Sequence, residues 1–289
     1  MTSHLSDRGG RDKPGQDTVE RVTRRQRADA RLALHVERIA GATRVARIAE
    51  SGSARLRLPK VEGPALEAVT INTGGGIAEG DRFTIAVDVG AGAELVVTTA
   101  AAEKIYRSLG DTAEVSTTLA VASGGTLDWV PQETILFDHA RLRRGIAVDL
   151  AASASAMLFE ATVFGRAAFG EHLTEGIYED RWRVRRAGRL VYADTLRLAG
   201  TIAERLRAPT VAAGARALAT ILYVAPDAEA RIEETRVCLE GAASECGASA
   251  WNGLLCIRFL AADVETLRRD AARFMTLFRG RPLPRVWHL

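Results

Sequence analysis

A chain of 289 residues with 47% apolar and 26% charged side chains has material for one large globular domain or two smaller ones. Its formal charge of +3 is accounted for by residues 1–31, which carry eight basic side chains against five acidic ones; the rest is neutral overall and lacks the basic stripe of a nucleic-acid binder. No apolar run approaches the roughly 18 residues of a membrane span and the N-terminus has no apolar signal core, so the expectation is a cytoplasmic protein with neither nucleic acid nor membrane as partner.

Residues 1–30, rich in Arg, Asp and Gly and without apolar periodicity, are expected to form a disordered basic leader, and residues 31–289 a single β-rich domain. Alternation begins at Leu32, Leu34 and Val36, and returns at Phe83, Ile85, Val87 and Val89 and at Ala113, Val115, Thr117, Leu119 and Val121. Three similar hairpin-like units follow one another at 87–98, 119–131 and 148–160. Their Leu95, Leu127 and Leu158 recur at intervals of 32 and 31 residues, which predicts strand pairs stacked in layers. After Thr201 the rhythm changes. Residues 217–225 read as a strand and 227–241 as a helix with Asp227 as N-cap and Gly241 beyond its end. Residues 249–261 read as a second strand, and Asp263 as the N-cap of a helix over 263–279 with Val264, Leu267, Ala271, Phe274 and Phe278 on one stripe. The fold class expected is mainly β, with stacked or solenoid-like sheets and two α-helices in the C-terminal part.

Cys238, Cys246 and Cys256 are spaced for neither a disulfide framework nor a zinc site, and reduced, mostly buried thiols are expected. The five histidines form no HxxxH pair, and no Ser/His/Asp order or nucleophile elbow occurs. The glycine-rich NTGGGIAEGDR segment (72–82) precedes a strand rather than opening a helix, so it is not a dinucleotide fingerprint. It reads instead as a loop where backbone packs closely or presents its amides, with Asp81 and Arg82 either a local ion pair or functional groups. In TTAAAEKIYRS (98–108), Lys104 and Tyr106 share a face only in extended structure. Glu133, after Gln132, is a buried acceptor or an oxygen ligand for a passing cation. Arg166 and Glu171 lie between glycines in a loop or surface turn.

In order along residues 31–289, the segments NTGGGIAEGDR, TTAAAEKIYRS, WVPQETILFDHARL (129–142), FGRAAFGE (164–171) and the C-terminal PRVW (284–287) resemble the UreD family of urease accessory proteins, called UreH in some organisms. Two departures are visible, Ala100 where many members carry Gln and Phe169 where Met is frequent. The resemblance implies a non-enzymatic maturation factor with no permanently bound cofactor. It would bind apo-urease and UreF-like and UreG-like accessory proteins, and let nickel in transit reach the urease site through a polar passage. Asp81, Glu103, Lys104, Tyr106, Arg107, Gln132, Glu133, Arg166 and Glu171 are expected to form that conduit or the adjoining partner surface, with Asp81 and Glu133 as transient nickel ligands. The C-terminal helices and PRVW tail would supply part of a UreF-binding face. The alternative is a β-rich enzyme using Glu103, Lys104 and Tyr106 as acid/base groups on a small polar substrate.

Overall fold

The structure is a computed structural model that describes residues 27–61, 63, 65–166 and 170–288. Residues 1–26 of the leader expected over 1–30, and the Phe169 departure, lie outside the described residues. Strand β1 (Asp29–Ile39) starts two residues ahead of the expected boundary, with Ala30, Leu32, Leu34 and Val36 buried and their neighbours more exposed. That is the period of a strand with one face on a core. Strands β5 (Arg82–Val89), β8 (Ala113–Val121), β11 (Arg141–Leu150) and β13 (Gly176–Arg186) repeat the pattern and run parallel in register. Leu34, Val87, Leu119, Val148 and Val184 thereby form one apolar rung across the sheet.

Antiparallel edge strands β2 (Ala42–Ser51) and β14 (Arg189–Gly200) complete this seven-stranded sheet. Each is reached through a two-residue turn, Ala40–Gly41 and Ala187–Gly188, with φ positive at both positions, the turn whose twist matches a hairpin.

The second sheet contains β3 (Ala54–Arg57), β4 (Leu66–Asn72), β6 (Glu94–Thr99), β9 (Thr126–Trp129), β12 (Ser155–Phe164), β15 (Ala217–Val224), β16 (Glu245–Trp251) and β17 (Leu254–Ala261). Two short strands, β7 (Glu103–Ile105) and β10 (Thr134–Leu136), extend it, β10 pairing with both β12 and β7. The units expected as hairpins are not hairpins: in each, the first strand lies in one sheet and the next in the other, so the chain winds as a solenoid. Leu95 and Leu127 are register partners as the repeat predicts, but Leu158 partners Trp129 while Ala156 partners Leu127. The coil spacing explains the slip, since Val87 and its partner Leu119 are 32 residues apart and Leu119 and its partner Val148 only 29.

One core fills the space between the sheets and a second lies between the second sheet and the C-terminal helices. Strand β12 faces both, and every residue from Ala156 to Phe164 is buried. Besides the two expected helices there is a short α1 (Ile202–Arg207). Helix α2 (Ile232–Leu239) is shorter than the expected 227–241, because a 3₁₀ turn at Glu229–Arg231 comes first. Asp227 is accordingly not its cap, and its carboxylate accepts from the Tyr223 hydroxyl at 3.0 Å. Helix α3 (Val264–Arg279) follows expectation: Asp263 accepts from the Thr266 amide at 2.7 Å, and Leu267, Ala271, Phe274 and Phe278 are buried. Residues 249–261 are not one strand but the hairpin β16–β17, closed by Asn252–Gly253 with φ of 52° and 74°. The three cysteines are free thiols, of which only Cys256 is buried. Among the described residues no helix is long and apolar enough to cross a membrane.

Candidate functional site

Strands β7 and β10 lie side by side, and their alternation separates the residues singled out in the sequence. Glu103, Ile105 and Thr134 face a small space of about 80 Å³ between the sheets, lined also by Thr99, Trp129, Gln132, Arg144 and Glu160. Lys104, Tyr106, Ile135 and Phe137 face outward into a groove of about 660 Å³, whose far wall includes Val264 at the start of α3. Glu103 therefore stands on one side of β7 and the Lys104–Tyr106 pair on the other, so the acid/base trio of the alternative reading does not converge on one site.

On the inner side, Glu103 accepts from Asn72 Nδ2 at 3.1 Å. Burial pushes its carboxyl up to about 7, against the lowering effect of the Asn72 bond. The same Asn72 amide group donates to Gly76 O at 3.1 Å and accepts from the Gly74 amide at 2.9 Å. Gly76 is there for close approach: a Cβ would stand 2.5 Å from Tyr106 Cε2 and 2.8 Å from the Lys104 carbonyl oxygen. Tyr106 then donates its hydroxyl to Gly75 O at 2.8 Å and meets Phe137 edge to face. The triple glycine thus fits the Tyr106 ring against the loop backbone.

Asp81 is buried, and its two oxygens accept from the Ala28 and Ala78 amides at 2.7 and 2.8 Å. It forms no pair with Arg82, whose guanidinium instead approaches Glu114 at 3.5 Å. Gln132 and Glu133 both accept from Arg268 of α3 at 3.0 Å. Gln132 Nε2 also donates to Thr99 O and Val286 O, each at 3.2 Å. The PRVW tail is part of this joint, with Trp287 buried and its indole N–H donating to Thr98 Oγ1 and Val130 O at 3.2 and 3.1 Å. Arg166 pairs with Glu171 and lies 4.1 Å over the Phe137 ring. Its hydrogen bond, aided by the Asp138 amide, holds the Glu171 carboxyl below its ordinary value. Arg107 is exposed and its backbone bridges to Ala140.

The most highly charged group in the interior was not among the expected residues. Arg144 points inward from β11, next to its register partner Asp180 on β13, and faces Glu160 on β12 of the opposite sheet. The guanidinium donates to both Asp180 oxygens at 3.1 and 2.7 Å, to Glu160, to Thr134 Oγ1 at 3.1 Å and to Tyr178 OH at 3.0 Å. The indoles of Trp129 and Trp182 bond the carboxylates of Glu160 and Asp180 at 2.9 and 3.1 Å. Burial raises the Glu160 carboxyl although Arg144 opposes the shift, and burial likewise raises the Tyr178 phenol. Parity was the available signal: Arg144 shares its strand face with Leu142, Ile146 and Val148, and Glu160 sits inside the run SAMLFEATVF. Among the described residues no group of three or more His, Cys, Asp or Glu is placed to hold a metal ion.

The sequence model of a family described as UreD urease accessory protein matches residues 28–288. A urease accessory protein UreD of Azorhizobium caulinodans is 59% identical over 266 residues, covering 92% of this chain and 98% of its own length. Its counterpart in Xanthobacter autotrophicus is 53% identical over 286 residues, covering 99% of each chain. Another in a Methylobacterium species is 53% identical over 270 residues, covering 91% and 96%. With a match across nearly the whole described fold and these identities, the chain belongs to the UreD urease accessory protein family.

Proposed function

We propose that this protein serves urease maturation without catalysis of its own, binding apo-urease and UreF-like and UreG-like accessory proteins while nickel passes through its interior. The observation that carries the passage is the space between the sheets, where the apolar core is interrupted by Glu103, Gln132, Glu160, three threonines (Thr99, Thr117 and Thr134) and the cation Arg144. Oxygen donors that are few, already hydrogen-bonded and partly neutral hold a divalent ion weakly, as a conduit requires.

In this reading Glu103 is the transient ligand and Gln132 lines the path, while Glu160 is held by Arg144 and Trp129. The oxygens of Asp81 and Glu133 are engaged by backbone amides and Arg268, so these two carboxylates brace the walls. Lys104, Tyr106, Arg107, Arg166 and Glu171 belong to the outer groove and its rim, the partner surface. The test is urease activity and nickel content in cells that express urease and the other accessory proteins with and without this chain. Nickel-poor, inactive urease in its absence, restored by the chain, is expected. Equal nickel and activity either way would remove the maturation role.

A further inference from the structure

The Arg144 guanidinium sits in a cage made wholly of oxygen. Asp180 supplies both carboxylate oxygens at 3.1 and 2.7 Å, Glu160 faces it from the other sheet, and the hydroxyls of Thr134 and Tyr178 stand at 3.1 and 3.0 Å. Two carboxylates thus surround one cation, and both Arg144 and Glu160 border the small space that Glu103 also faces. Carboxylates with hydroxyls are the donor set of a hard divalent cation. Here the position is filled by a cation tethered to β11.

Stability alone does not account for this arrangement, because a buried ion triad is often matched or bettered by well-packed apolar residues. The cage also answers a chemical problem raised by the proposed passage, on which the inference rests. Two unengaged, dry carboxylates, Glu160 bordering the path and Asp180 behind it, would chelate an ion rather than pass it. A guanidinium holds both at once through its planar fork and stays charged at any physiological pH.

We propose that Arg144 is the resident counter-ion that keeps this interior from trapping a divalent cation. With the guanidinium in place, an entering ion meets Glu103 and hydrogen-bonded oxygens and is held weakly. Without it, Glu160 and Asp180 become free to bind together.

Equilibrium dialysis of the full-length chain against nickel(II) chloride tests this, since gained binding is not what simple structural damage produces. Arg144→Met is expected to retain about one nickel ion per chain, roughly tenfold or more tighter than the unaltered protein. The neutral triple variant Arg144→Met, Glu160→Gln, Asp180→Asn should fall back to the unaltered level. Nickel should also raise the melting temperature of Arg144→Met and leave that of the unaltered chain in place. A folded Arg144→Met that binds no more nickel than the unaltered chain overturns the proposal. Should Arg144→Met fail to fold, Arg144→Gln decides, because a neutral amide keeps hydrogen bonds to the carboxylates but supplies no charge: tighter nickel binding supports the proposal, and unchanged binding overturns it. Tight nickel binding by Arg144→Met with normal urease activation in cells would uphold the role of Arg144 and remove the passage reading.

Discussion

The two faces of the second sheet carry buried ion triads of opposite sign. Toward the helices, Asp128 of β9 accepts from two cations, Arg279 and Arg281, at 2.8 and 2.5 Å. Toward the first sheet, the cation Arg144 is shared by two carboxylates, Glu160 and Asp180. The first triad clamps the end of α3 onto the sheet, and Arg281 reaches solvent, its side chain 33% exposed. The second is buried and borders the interior space with Glu103. Similar residue types therefore serve different ends. One cation-rich triad fastens a helix at the solvent edge, whereas the carboxylate-rich one joins the two sheets beside the interior space.

The largest expected effect comes from breaking the inner triad. Arg144→Ala leaves two buried carboxylates without their counter-ion and should cost about 3–5 kcal/mol in urea denaturation. A loss below about 1 kcal/mol would mean that water enters freely and that the two triads are alike.

Glu103 gives the next effect. Its folded-state carboxyl titrates near 7, above the ordinary 4.5, so the folded protein holds more protons than the unfolded chain between those values and stability falls as pH rises through 7. Glu103→Gln should abolish that fall and gain up to about 3 kcal/mol at pH 8 relative to the unaltered chain. Identical pH–stability curves from pH 5 to about 8 would contradict the burial assigned to Glu103.

On the helix side, Asp128→Asn should cost about 1–3 kcal/mol, since Arg281 can turn to water and Arg279 retains Pro282 O as an acceptor. Hydrogen exchange should localise the change to the C-terminal turn of α3. The smallest effect is that of Asp263→Ala at the other end of the same helix, about 1 kcal/mol by loss of its cap.

Much of the scaffold could be read from local pattern. The alternation at Leu32–Val36, Phe83–Val89 and Ala113–Val121 reports one-sided burial directly, and Asp263 with its apolar stripe reports a capped amphipathic helix. Asn252–Gly253 carried an equally local hairpin signal inside a run read as one strand. Asp227 misled because the chain makes a 3₁₀ turn before α2, which a cap residue alone does not reveal.

At the site, polar residues in apolar or glycine-rich segments drew attention to Glu103 and Gln132, which line the interior space, and also to Asp81 and Glu133, whose oxygens are taken by backbone amides and by Arg268. Their partners are remote: Gln132 meets Arg268 136 positions away, and Arg144 meets Asp180 only through strand register. Parity marked Arg144 and Glu160 as inward, but which charges face one another depends on how two sheets are stacked, and no local spacing encodes that.

The most direct test compares the two faces in one assay. Nickel per urease active site is measured after maturation in cells carrying the unaltered chain, Glu103→Gln or Asp128→Asn at matched levels of soluble protein. Nickel-poor urease is expected with Glu103→Gln and full loading with Asp128→Asn. Full loading with Glu103→Gln would contradict the interior passage.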